Sequence, residues 1–178
     1  MTMSNWRQVS TSPLILVSEN EYLHTSYRPD CDYVDGFVLE RNLGTYRHAR
    51  LQSLILACLI AREKAWQVHV VVECRLKIRP RKYRVPDVMV LPAAASYPSV
   101  IEQPPLLCIE VVSPDDRLPD LVLRAGEYLT LGVPATWIFD PESKQTFIYS
   151  EQGTVESFGP VLQHGQIELP IADLFAQL

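Results

Sequence analysis

The sequence predicts an α/β domain with a mixed central sheet flanked by helices. Three observations predict it. The chain has 178 residues, 47% apolar and 21% charged, which suits one filled core and is too apolar for a disordered chain. Its segments run helix, strand, strand, strand, helix, strand. The third strand, the helix after it and the fourth strand form a βαβ crossover, which makes part of the sheet parallel.

Residues 1–17 carry no period and Pro13 interrupts them, so an arm is expected there, with a single domain over 18–178. Ser18 caps a short helix over Glu19–Thr25, and Glu21 completes a capping box. Residues 27–32 read as loop, Tyr33-Val-Asp-Gly36 as a turn and Phe37–Arg41 as a short strand. Thr45–Lys64 is the first long helix, because Leu51, Leu54, Ile55, Cys58 and Leu59 follow the helical period without Pro or Gly. Gln67–Arg79, rich in β-branched residues, reads as one long strand. Val85–Leu91 is a second strand. Leu106–Val112 is a third, apolar enough to be buried on both faces. A helix from Leu118 to Leu131 ends at Gly132. Ala135–Asp140 is the fourth core strand, stopped by Pro141. Thr146–Ser150 and Val155–Gly159 read as a β-extension, and Ile171–Gln177 as a small terminal helix.

The longest apolar run, Leu54–Ala61, is too short for a bilayer, which takes roughly 20 residues. The N-terminus makes a poor signal peptide. Cys31, Cys58, Cys74 and Cys108 lie far apart without a CxxC, the pattern of reduced thiols in a cytosolic protein rather than of a disulfide or zinc framework. Neither a Gly-rich phosphate loop nor GxSxG nor HExxH occurs. Net charge is −5, so a nucleic-acid role must rest on local charge.

Two acids interrupt apolar strands: Asp87 in Val85-Pro-Asp-Val-Met-Val and Glu110 in Leu-Cys-Ile-Glu-Val-Val. A carboxylate there is costly unless paired or bound to metal. Together they could converge on Mg²⁺, which favours one or two carboxylates plus water and phosphate oxygens, as phosphodiester hydrolysis requires. Alternatively, each pairs with a nearby arginine. His48 and Gln52, one helical turn apart, could aim at the same place or form a surface pair. Arg75, Lys77, Arg79, Arg81, Lys82 and Arg84 form a basic cluster between the first two core strands. It is either a phosphate-backbone contact or a solvated edge that blocks strand association.

The ordered motifs resemble the Uma2 family, restriction-endonuclease-like proteins of bacteria, numerous in cyanobacteria. They are Val85-Pro-Asp87-Val-Met-Val, Ile109-Glu110-Val-Val-Ser-Pro114, Asp120 with Arg124 and Tyr128 at four-residue steps, Gly132-Val-Pro, and Trp137-Ile-Phe-Asp-Pro141. Glu21-Tyr22-Leu, Tyr33-Val-Asp-Gly36, His48 and Leu169-Pro-Ile-Ala-Asp-Leu-Phe175 also fit, so the resemblance covers roughly residues 18–176. It implies the PD-(D/E)XK nuclease fold, with Asp87 and Glu110 holding Mg²⁺ or Mn²⁺. The signature lysine would stand at Val112. In the family it is usually taken to have moved onto the following helix, where this chain has Arg124. Arginine keeps the charge and phosphate affinity but cannot act as a base, since its pKa stays above about 12.

The resemblance further implies an additional acid, for which Asp32 and Glu73 are candidates. Arg117 is a second phosphate contact, and Asp120 and Tyr128 orient Arg124. The implied function is a metal-dependent endonuclease acting on nucleic acid, DNA first, in a cytoplasmic homodimer with no membrane role. The rival is a non-catalytic nucleic-acid-binding module on the same scaffold, favoured by Arg124. A protein-binding role or a different substrate is a third reading that fold alone leaves open. No fused recognition domain is expected.

Overall fold

A computed structural model describes residues 16–42 and 44–178, so the expected arm lies outside them up to position 15. At Val17 the chain is tied down. Its N–H donates to the Gly36 carbonyl (2.8 Å), and its own carbonyl accepts from the Tyr33 hydroxyl (2.9 Å). Helix α1 (Glu19–His24) starts at the expected cap, where Ser18 Oγ accepts from the Glu21 N–H.

Strands β1 (Asp32–Val34) and β2 (Phe37–Leu39) form a hairpin. Its tip, Asp35-Gly36, has φ of 52° and 106°. A two-residue hairpin turn of this kind needs positive φ at both positions, which Asp-Gly supplies at low cost. The turn expected at 33–36 is thus a hairpin tip, and its first strand reaches back to Asp32, which reads as loop from the sequence.

Helix α2 (Tyr46–Ile60) buries His48, Leu51, Ile55 and Leu59 along one face. It stops at Ile60 rather than Lys64. A single turn, α3 (Glu63–Trp66), follows and ends where Gln67 takes φ of 52°.

The one strand expected over Gln67–Arg79 is two: β3 (Val68–Val72) and β4 (Leu76–Arg79). The break falls at Glu73, whose φ of 51° is incompatible with an extended pleat. There the chain leaves one sheet for another. Strand β4 pairs with β5 (Lys82–Arg84), and β5 with β1, in an antiparallel sheet ordered β2-β1-β5-β4.

The central sheet takes β3 together with β6 (Val88–Pro92), β7 (Leu107–Val111), β8 (Thr136–Asp140), β9 (Gln145–Ser150) and β10 (Gly153–Glu156). Its order is β10-β9-β8-β7-β6-β3. Strands β7 and β8 run parallel, joined by helix α4 (Leu118–Leu131) as the crossover predicts, and the other pairs are antiparallel. The last strand lies at 153–156 rather than 155–159. An unexpected hairpin, β11 (Val161–His164) and β12 (Ile167–Pro170), leads into α5 (Ile171–Ala176).

Strand alternation fills both faces of the central sheet. Val88, Val90, Leu107, Ile109, Val111, Trp137 and Phe139 pack with α2, α5 and the β11–β12 hairpin. Met89, Leu91 and Cys108 pack with Tyr128 of α4 and Leu76 of β4. Glu110 follows Ile109 and therefore points towards α4. A third cluster, Tyr22, Tyr33 and Tyr83, holds α1 on the small sheet. The four cysteines are free. Among the described residues no helix is long and apolar enough to cross a membrane.

Candidate active site

Strand register brings the two interrupting acids together. Val88 pairs with Ile109 across the antiparallel β6–β7 ladder. Asp87 lies one residue before Val88 and Glu110 one after Ile109, so they face each other at the ladder's end. Both are buried, at 2% and 1% exposure. Like charges so placed repel unless something intervenes, and cations do. Arg41 Nη2 donates to Asp87 Oδ1. Oδ2 of Asp87 accepts from the Val111 N–H (2.7 Å) and lies 3.5 Å from His48 Nε2. On Glu110, Oε1 accepts from the Tyr128 hydroxyl (2.5 Å), and Arg124 Nη1 lies 3.4 Å from Oε2. Arg124 and Tyr128, four residues apart on α4, thus present one face to the same carboxyl.

The two acids titrate in opposite directions. Burial pushes Glu110 up to about 7, against the pull of Arg124. Burial also raises Asp87, but the His48 hydrogen bond, Arg41 and the Val111 N–H outweigh it and leave the carboxyl below its usual value. Burial lowers His48, and its hydrogen bond to Asp87 more than restores it, so the imidazole is more basic than usual.

Asp87, Glu110, Arg41, His48 and Arg124 line a pocket of about 260 Å³ that also takes in Gln52, Glu73 and Asp116. Gln52 Nε2 donates to the Asp87 carbonyl (3.1 Å). Four carboxylates, two arginines and His48 line it, a net of two negative charges when every carboxylate is ionised and His48 is neutral.

A family model described as "Uma2: Putative restriction endonuclease" matches residues 20–175. The chain belongs to the Uma2 family. This Uma2 fold is similar to a crystal structure described as a putative nuclease belonging to DUF820 from Anabaena variabilis ATCC 29413. The TM-score is 0.77 at 21% identity, over 88% of this chain and 96% of that one. At that identity the likeness concerns the fold alone. A cryo-electron-microscopy structure of a DrdV–DNA complex aligns at TM-score 0.41 and 14% identity, over 72% of this chain and 10% of the other. No curated protein matches significantly.

In this Uma2 chain six of the expected site residues, Asp87, Glu110, Arg124, His48, Gln52 and Glu73, line the one pocket. Asp32 lies behind it. One oxygen accepts from the Val85 N–H (2.9 Å). The other accepts from Arg84 (2.9 Å) and lies 3.4 Å from Arg124 Nη2. Asp32 therefore steadies Arg124 from the small sheet. Tyr128 holds Glu110 rather than Arg124, and Asp120 is exposed on α4 away from any ion pair among the described residues.

The basic cluster is largely paired. Arg75 bonds Asp30 and lies over the Tyr22 ring. Lys77 pairs with Glu102, and Arg79 with Asp35. Lys82 and Arg84 share Glu127, whose carboxyl they hold below its usual range against the effect of burial. Among the described residues the side chains of Arg81 and Arg117 have no carboxylate partner, although the Arg81 backbone N–H donates to Glu19.

Arg41, Asn42 and Asp116 are the site residues that sequence reading misses. Asn42 Nδ2 donates to Asp116 Oδ1 (2.7 Å), which holds Asn42 at the pocket. Nothing local marks Arg41. Its only signal is the rule that a buried strand carboxylate needs a cation.

Proposed function

We propose that this protein is a divalent-metal-dependent endonuclease that hydrolyses DNA phosphodiester bonds, with Asp87 and Glu110 as the ion's protein ligands. The observation that carries the reading is the facing pair of buried carboxylates at the β6–β7 ladder's end, opening into one pocket. Among the described residues no three His, Cys, Asp or Glu side chains form a metal-holding group. The donor set still suits Mg²⁺ or Mn²⁺. Both are served by one or two carboxylates, with water and phosphate oxygens supplying the rest. The ion would stabilise charge on the phosphate and lower the pKa of an attacking water.

The chain's own residues supply the remainder. The Val111 N–H, His48 and Gln52 fix the orientation of Asp87, and the Tyr128 hydroxyl fixes Glu110. Arg124 binds and orients the scissile phosphate. It holds its proton at every working pH, so it takes no proton from water.

A second reading has a specific observation in its favour. Each carboxylate already carries an arginine, Arg41 on Asp87 and Arg124 on Glu110, as a structural ion-pair network would. On that reading the protein is a non-catalytic nucleic-acid-binding module.

The deciding experiment incubates supercoiled plasmid and single-stranded DNA with the protein in Mg²⁺ and in Mn²⁺, beside the isosteric D87N and E110Q. The expected result is cutting by the parent and a loss of at least about a hundredfold in each variant. Variants as fast as the parent overturn the site assignment. Salt-sensitive, metal-independent binding with no cutting by any version establishes the binding module, and R124K is then the next protein to assay.

A further inference from the structure

We infer that Arg41 is a built-in cation that occupies the metal-facing oxygen of Asp87, so that a divalent ion enters this site by displacing it. The inference rests on the metal reading above and concerns what guards that site.

The oxygens of Asp87 are not equivalent. Oδ2 is committed to the protein, with the Val111 N–H at 2.7 Å and His48 Nε2 at 3.5 Å. Among the described residues Oδ1 has Arg41 alone. A hard cation therefore competes for Oδ1 with a guanidinium. The two arginines of the pocket also differ in grip. Arg124 stands 3.4 Å from Glu110 and 3.4 Å from Asp32, divided between two acids. Arg41 makes a direct charge-assisted hydrogen bond to one acid and is only 13% exposed. Such bonds are the strong ones, so Arg41 is the cation an incoming ion must move.

The backbone that carries Arg41 favours a side-chain exchange over opening of a loop. Arg41 lies between β2 and α2, outside both. The next residue is fixed by the Asn42–Asp116 bond. Gly44 then packs so closely on α2 that a Cβ there would meet His48 Nδ1 at 2.9 Å. With Asn42 and Gly44 so placed, the long arginine side chain is the part able to move. Once displaced, the guanidinium remains in the pocket, where a phosphate of the substrate can take it.

Two measurements on the full chain test this without nucleic acid. The first is Mn²⁺ affinity by isothermal titration calorimetry for the parent, R41Q and R41K, with circular dichroism confirming their fold. R41Q removes one positive charge from a poorly solvated pocket and should bind Mn²⁺ at least about tenfold tighter. R41K keeps the charge and should stay near the parent. D87N added to R41Q should abolish the gain. If the parent binds Mn²⁺ and R41Q binds it equally or less tightly, Arg41 is not a competitor and the inference falls alone. If neither protein binds Mn²⁺, the metal reading falls and takes this inference with it.

The second measurement does not need R41Q to fold. A Mg²⁺ titration of the ¹⁵N-labelled parent follows the Arg41 guanidinium resonance, assigned by its disappearance in R41K. The resonance should shift as the site fills, and a signal unmoved at saturation overturns the exchange.

Discussion

Glu110 stands at 1% exposure on a strand buried on both faces, and burial pushes its carboxyl up to about 7 despite Arg124. The sign of the consequence is definite. A carboxyl whose folded pKa exceeds its unfolded value adds stability below the unfolded value, and that stability is lost as pH rises through the folded one. His48, also raised, acts in the same direction, so the protein should lose stability between pH 5 and pH 8. E110Q keeps an acceptor for the Tyr128 hydroxyl and removes the titration. At pH 5 it should melt close to the parent. At pH 8 it should be the more stable, by up to about 3 kcal/mol. Calorimetric melts at both pH values check this, and a variant that melts lower than the parent at pH 8 sinks it. Asp87 and Glu110 are legible in the sequence because each breaks an apolar run. Arg41, which pairs with Asp87, is less so, because it sits in a loop where charged residues are ordinary, and Asp116 escapes for the same reason.

At the scale of elements, the acid that matters is Asp32. It lies on β1 of the small sheet and reaches Val85, Arg84 of β5 and Arg124 of α4. The substitution D32N leaves two mostly buried guanidiniums short of a charge. Breaking a buried pair from one side costs about 3–5 kcal/mol, roughly a 6–15 °C drop in Tm for a chain of this size. A thermal melt tests it, and a change under about 1 kcal/mol would show that the bridge contributes little.

The central elements are readable because periodicity is a local property. Helix α4, the parallel β7–β8 pair and the paired acids all follow from it. The break at Glu73 does not. The β-branched run Val68–Val72 continues into Arg75-Leu-Lys-Ile-Arg79 without Gly or Pro, and only the second sheet, formed with distant β1, pulls the chain away. The β11–β12 hairpin escapes for a similar reason. Its four-residue strands are short, and their inward residues, Leu162, Ile167 and Leu169, are few.

For the molecule as a whole, charge decides how it can meet nucleic acid. Seven cations, Arg75 to Arg84 and Arg117, are the ones sequence reading assigns to the phosphate backbone. Five of them are paired with carboxylates, and Arg81 and Arg117 alone lack such a partner among the described residues. An arginine already bonded to a carboxylate gains little by exchanging it for a phosphate, and a chain of net charge −5 offers no long-range attraction to compensate. Binding should therefore depend weakly on salt. With Arg124 at the scissile phosphate, Arg81 and Arg117 bring the slope of log K against log salt to roughly −3 on duplex DNA, whereas Arg124 with all seven brings it to roughly −7. Fluorescence anisotropy of a labelled duplex between about 50 and 200 mM salt separates the two. R81A and R117A should each remove about one unit of slope. K82A and R84A should instead lower the melting temperature, because each leaves the half-buried Glu127 short of a partner. A slope near −7 would mean that the hairpin gives up its carboxylates to the DNA, and that its ion pairs are what the protein looks like only before it binds.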